Sequence, residues 1–125
     1  MFNKMVTPTG SSGDSGGDGR LFAKKPDCYY GQDEIFDCGF TPKEIRLVGK
    51  YGNGKYGTSE LWGGLYDPSN GDKVRIDINP NGTIYSVIKR ASNETPTISI
   101  SGSTITVRGD APATYNNYYD MEVYG

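Results

Sequence analysis

The chain has 125 residues, enough for one domain with its own core. It carries 13 basic and 15 acidic side chains, a net charge of −2, and no histidine. These facts exclude histidine-based catalysis and histidine metal sites, and they argue against a nucleic-acid binder held by phosphate contacts. Glycine at 18 and tyrosine at 10, alongside many Thr, Ser, Ile and Val, predict an all-β chain dense in turns.

Taken in order, residues 1–19 form an extended leader. Phe2, Met5 and Val6 form a small apolar patch near its start, and positions 7–19 hold only Thr, Pro, Gly, Ser and Asp. Such a stretch buries too little apolar surface to offset its ordering entropy. It is expected to become ordered only against a neighbouring chain that grips Phe2, Met5 and Val6. The leader lacks the apolar stretch of a signal peptide, and no run approaches the roughly 20 apolar residues of a membrane helix.

Residues 20–125 read as a single β-sandwich domain. Cys28–Gly31 and Ile35–Phe40 are strand candidates about a Gln32–Glu34 turn, and Thr41-Pro42 interrupts because proline cannot donate to a ladder. Glu44–Gly49 alternates, with Ile45 and Leu47 on one face. Ser59–Tyr66 is a strand broken at Trp62-Gly63-Gly64, and Asp67–Asp72 is turn chemistry. Lys73–Asn79 and Thr83–Lys89 form a hairpin about Asn79-Pro80-Asn81-Gly82, with Val74, Ile76 and Ile78 on one face opposite Lys73, Arg75 and Asp77, and Ile84 and Ile88 alternating against Tyr85 and Val87. Thr97–Ser101 and Ser103–Arg108 form a second hairpin about Gly102. Tyr118–Tyr124 is the last strand, with Met121 and Val123 on one face. About nine short strands without a helix predict an antiparallel sandwich, jelly-roll-like or a compact barrel.

Chemistry-bearing residues are few. Cys28 and Cys38 are the only cysteines. They form a candidate cross-strand disulfide if a hairpin sets them opposite, or two small buried thiols in a protein made in a reducing cytoplasm, the favoured alternative. Asp67, Asn70 and Asp72 lack calcium-loop spacing and read as a turn. Asp33/Glu34 and Asp37/Glu44 are the carboxylate pairs that a glycosidase would need, but solvated turns are the ordinary place for such residues. No enzymatic activity, cofactor or metal is expected. Trp62, Tyr66, Tyr115, Tyr118 and Tyr119 lie in or beside expected loops, where they are candidates for glycan or interface contacts, or else serve as core and cross-strand residues.

The segment Cys38-Gly39-Phe40-Thr41-Pro42-Lys43-Glu44-Ile45-Arg46-Leu47 resembles the strand entry of small β domains in tailed-bacteriophage tail, fibre and minor structural proteins. Ile98–Val107 resembles their penultimate hairpin and Tyr118–Gly125 their closing strand. The resemblance spans about residues 27–125. It implies a virion component, made in the host cytoplasm, with no catalytic residues to transfer. The absence of a coiled-coil or β-helical shaft favours a decoration protein, head fibre or spike, or a small tail or baseplate part over a long fibre. The expected partners are other virion proteins, through residues 1–19, and further copies of the chain, a trimer among the candidate symmetries. A host surface glycan is the partner under an alternative, receptor-binding reading. Nucleic acid and membrane are not expected.

Overall fold

The computed structural model describes residues 20–51, 59–62, 64–67, 72–89, 94–109 and 117–125. Ten strands run in chain order: β1 (Phe22–Tyr29), β2 (Glu34–Asp37), β3 (Glu44–Tyr51), β4 (Ser59–Leu61), β5 (Gly64–Tyr66), β6 (Val74–Ile78), β7 (Ile84–Ile88), β8 (Ile98–Ser101), β9 (Thr104–Val107) and β10 (Asn117–Tyr124). They form an antiparallel five-stranded sheet in the order β1-β10-β3-β6-β7, a three-stranded sheet β2-β9-β8, and a small β4-β5 hairpin. The expected all-β sandwich is therefore the fold. The leader with Phe2, Met5 and Val6 lies outside the described residues, as does Tyr115.

Alternation explains the core. In a strand, successive side chains point to opposite faces. Ile45 and Leu47 of β3, Val74 and Ile76 of β6, and Met121 and Val123 of β10 are fully buried from the large sheet. Ile105 and Val107 of β9 meet them from the small sheet, with Phe36, Ile98 and Ile100 packed at its margin. Burying each such side chain stabilises the fold by about 1.5–3 kcal/mol. The strand β10 is interior to the sheet and pairs with β1 on one side and β3 on the other. The end of the chain thus closes the sheet.

Three expectations need correction. Cys28–Gly31 and Ile35–Phe40 do not form a ladder: β1 pairs with β10, whereas β2 pairs with β9 in the other sheet. β1 also begins earlier, at Phe22. Lys24, Lys25 and Pro26 obscure it as a strand, yet they suit a sheet edge, where proline's missing donor costs no ladder bond.

Ser59–Tyr66 is not one interrupted strand but the β4-β5 hairpin, Ser59 opposite Tyr66 and Leu61 opposite Gly64. Trp62 turns the chain with φ of 45°. A large side chain rarely occupies that left-handed region. Its burial at 0% exposure and the bond from its backbone N–H to the Tyr30 hydroxyl, 2.7 Å, hold it there.

The β6-β7 hairpin forms as expected, and its turn closes with the Gly82 N–H donating to the Asn79 carbonyl at 2.9 Å. Gly82 sits at φ 88°, which glycine adopts without a Cβ penalty. The faces of β7 differ from expectation. Asp77 pairs with Ser86 and Ile78 with Ile84, so Tyr85 is an inserted bulge residue. A bulge resets the period-two alternation. Val87 consequently packs against the core, while Ile84 and Ile88 are 36% and 52% exposed.

The chain changes sheets at Cys38–Lys43. The Cys38 N–H donates to the Ser103 carbonyl at 3.0 Å and the Lys43 N–H to the Tyr124 carbonyl at 2.8 Å. Gly39 at φ 86° makes the bend. Phe40 lies so close to Gly125 that a Cβ there would stand 3.2 Å from the ring. Residues 38–47, 98–107 and 118–125 therefore meet at one end of the sandwich, beside a groove of about 260 Å³ lined by Thr41, Pro42, Pro80, Asn81, Ile100 and Gly102.

Candidate functional site

The aromatic residues gather, but inside the molecule. Trp62 packs edge-on against Tyr30, with ring centroids 5.0 Å apart, and tilted against Tyr119 at 5.5 Å. Trp62, Tyr66 and Tyr119 are buried. This corrects their candidacy as glycan or interface contacts, since a ring without exposed area offers a sugar no face to stack on. The hydroxyls of Tyr66 and Tyr119 are buried without a hydrogen-bond partner among the described residues. Burial raises the ionisation range of both phenols, so both remain neutral at ordinary pH. Tyr118 is half-buried and packs on Tyr29, with centroids 4.9 Å apart across the β1-β10 ladder. It is a cross-strand pair of the kind sheets use for stability.

The two cysteines are free thiols. Cys28 is buried on β1, and its Sγ donates to the Lys25 carbonyl at 3.4 Å. Cys38 follows β2, and its Sγ lies 3.1 Å from the Phe40 carbonyl and 3.3 Å from that of Ser103. Their strands belong to different sheets, which replaces the hairpin geometry that a disulfide required. Burial, aided by the Glu34 charge, pushes the Cys28 thiol up to about 12. Burial also raises Cys38. Neither is an activated nucleophile, which needs a lowered thiol pKa.

The carboxylates serve strand-to-strand contacts. Asp33 accepts the Gly109 N–H at 2.8 Å and pairs with Arg108, joining the β1–β2 turn to the end of β9. Asp37 accepts from the Ser103 hydroxyl at 2.6 Å and from the Gly39 N–H at 3.0 Å. The Asp67 N–H donates to the Asp72 carboxylate at 3.2 Å. Among the described residues no group of three or more acids and cysteines is placed to hold a metal.

The outer face of the five-stranded sheet carries two ionic networks. In the first, Glu44 on β3 accepts from Arg20 at 2.6 Å and from Arg46, and Arg75 of β6 stands 3.6 Å away, itself paired with Asp77 at 3.0 Å. The Arg20 and Arg46 guanidinium groups lie 4.6 and 4.3 Å from the centroid of the Tyr124 ring, adding cation–π attraction. In the second, Asp120 is fully buried. It takes Lys50 at 2.9 Å, Lys24 at 3.4 Å and the backbone N–H of Asp27 at 3.0 Å. Asp27 has φ of 59° at the bulge that interrupts β1, so Asp120 stitches a strained edge to the sheet interior. Sequence order hides this network, because Asp27, Lys50 and Asp120 come from strands far apart in the chain.

Glu44 and Glu34 give stability a pH dependence. Burial alone would raise both carboxyls. For Glu44, Arg46 and Arg20 outweigh it, and for Glu34 the Tyr29 N–H, Gln32 and Lys25 do so, leaving both below the usual 4.5. In the window between the lowered folded values and 4.5 the unfolded chain binds more protons. Stability is therefore fully present above that range and lost as pH falls through it. The melting temperature is expected to drop on acidification below about pH 5. Glu44→Gln should cost about 1 kcal/mol at pH 7, roughly 3–6 °C in Tm, and should flatten the acid slope in a calorimetric pH series. An unchanged slope would remove Glu44 from this role.

Among the described residues no helix is long and apolar enough to cross a membrane. Comparisons with family models, with curated proteins and with solved structures find no match to this chain.

Proposed function

We propose that the chain is a structural component of a bacteriophage particle: a decoration protein, a head fibre or spike, or a small tail or baseplate part. Residues 1–19 anchor it to a neighbouring virion protein and the β domain projects from or cements the particle. The observation that carries this reading is how the domain deploys its polar and apolar groups. Among the described residues, ion pairs such as Lys25–Glu34 and Lys50–Asp120 join strands, while the large exposed apolar side chains lie on or beside sheet edges. That is the surface of a module that holds neighbours. The phage assignment within this class is supported by the resemblance at residues 38–47, 98–107 and 118–125. Free thiols fit assembly in a reducing cytoplasm. The receptor-glycan alternative loses support, because three of its five aromatic residues are core.

Phe2, Met5 and Val6 contribute only about 1.5–3 kcal/mol each when buried, and ordering the glycine-rich linker offsets much of it. Firm attachment therefore needs several copies acting together. The test is to replace these three in the full chain, Phe2→Asp, Met5→Asp and Val6→Asp, and to assemble particles with the variant. The variant is expected to fold with an unchanged circular dichroism spectrum and to be lost from sedimented particles. Full occupancy in the particles would overturn the anchoring reading.

A further inference from the structure

Sheets ordinarily protect their edges with charge, proline, bulges or brevity, because an edge strand presents unpaired N–H and C=O groups to any extended partner. The outer strands of this protein differ in that respect. β1 carries Lys24, Lys25, Pro26 and a bulge. β2 has four residues bounded by Glu34 and Asp37, and β8 has four, half of them serine. β7, the other edge of the five-stranded sheet, reads Ile84-Tyr85-Ser86-Val87-Ile88 without a charge or a proline, and its bulge at Tyr85 leaves that ring and Ile88 exposed on the edge strand. It also concentrates exposed apolar area. Leu21, Ile35, Ile84, Tyr85 and Ile88 are the large hydrophobic side chains left exposed among the described residues, and three of them are on this one strand, Tyr85 at 64%.

We infer that β7 is a self-association edge, pairing antiparallel with β7 of a second copy to continue the sheet across a two-fold axis. Charge placement selects this occupant. A two-fold centred on Ser86 sets Ile84 against Ile88 of the other copy and Tyr85 against its Val87, so every rung of the strand is neutral. Lys89, the charge bordering the strand, then falls opposite Thr83. The two Lys89 side chains stand six residues apart along the ladder, about 20 Å, beyond the ~8–10 Å screening length at physiological salt. A parallel arrangement would set them side by side. The Tyr85 bulge supplies a large amphipathic ring at the seam, a residue type favoured as an interface anchor. A five-residue ladder is smaller than a standard interface, so the expected dissociation constant is about 10–100 µM, a strength that crowding within an assembly would complete.

The inference rests on the assembly reading only in taking the working unit to contain several copies, and its readout is separate. Sedimentation equilibrium of the full chain from about 5 to about 500 µM should show the mass rising from 13.6 kDa toward twice that value. Tyr85→Lys and Ile88→Lys, both at exposed positions, should each weaken the dimer at least tenfold without changing the circular dichroism spectrum. Leu21→Lys and Ile35→Lys should leave it intact. Hydrogen exchange at the β7 amides should slow as concentration rises. A chain monomeric throughout the range would overturn the inference, as would a dimer indifferent to Tyr85→Lys and Ile88→Lys or one weakened equally by the two control variants. Loss of the dimer in the Phe2→Asp, Met5→Asp, Val6→Asp chain would assign the edge to the leader and would also overturn it. If the protein is monomeric yet enters particles, the β7 interface falls and the assembly reading stands.

Discussion

Trp62→Ala is expected to cost about 3–5 kcal/mol, which for a domain of this size is a large part of its total stability. Trp62 is fully buried and its ring touches Tyr30 and Tyr119. Removing it leaves a cavity beneath the β4-β5 hairpin and forfeits two aromatic contacts worth about 0.5–1.5 kcal/mol each. Neighbours cannot close the gap, because Tyr30 is tied to the Trp62 N–H and Tyr119 belongs to an interior strand. Urea unfolding should show a much lower midpoint with a similar slope, and the near-ultraviolet spectrum should lose its fine structure. Trp62→Phe should recover part of the loss. The competing view, Trp62 as an exposed sugar platform, requires the opposite result: a normally stable variant. A cost below about 1 kcal/mol would sink the core assignment.

Asp120→Ala is expected to cost about 3–5 kcal/mol. The Asp120 carboxylate is fully buried, and removing it leaves Lys50, 5% exposed, facing the Asp27 carboxylate at 2.9 Å, a residue on the exposed rim. It also frees the Asp27 N–H at the β1 bulge. Two losses combine, a buried cation missing its buried carboxylate partner and a part-buried donor missing its acceptor. Asp120→Asn keeps the shape and one acceptor and should cost less. The double variant Lys50→Met, Asp120→Leu removes both charges and should recover much of the stability, since a buried pair need not outperform an apolar one of equal volume. Denaturation curves of the three variants provide the check. Equal destabilisation by the single and double changes would show that shape, not charge pairing, is what this position contributes.

The fold class was legible because its signal is local. Alternation at Ile45/Leu47, Val74/Ile76/Ile78, Ile105/Val107 and Met121/Val123 marks buried faces without reference to any partner strand, and all nine side chains are buried. Turn residues at Asn79–Gly82 and at Gly102 mark the two tight hairpins for the same reason. Failures came where a nonlocal contact overrides a local preference. Lys24, Lys25 and Pro26 read as a poor strand, yet the ladder to β10 pairs Lys24 and Lys25, and Pro26 falls in the bulge between paired positions. Tyr85 and Val87 read as one face opposed to Ile84 and Ile88, yet with Tyr85 inserted as a bulge only Val87 packs against the core. The candidate aromatic site dissolved for a related reason: tyrosine and tryptophan have the same composition signature in a core as on a binding face, and only packing tells them apart.

Residue order by itself determined an all-β domain with its hairpins and most of its core, since period two and turn chemistry act over a few neighbouring residues. Tertiary structure alone decided which strands pair across the molecule, where the aromatic rings go, and which acids meet which bases. Asp27, Lys50 and Asp120 become neighbours only because the final strand inserts between the first and third. The same insertion leaves β1 as one outer strand of the large sheet, and the β6-β7 hairpin makes β7 the other. Which of those edges is guarded and which is left apolar therefore follows from chain topology and from a single bulge, and neither can be read from side-chain periodicity along one strand.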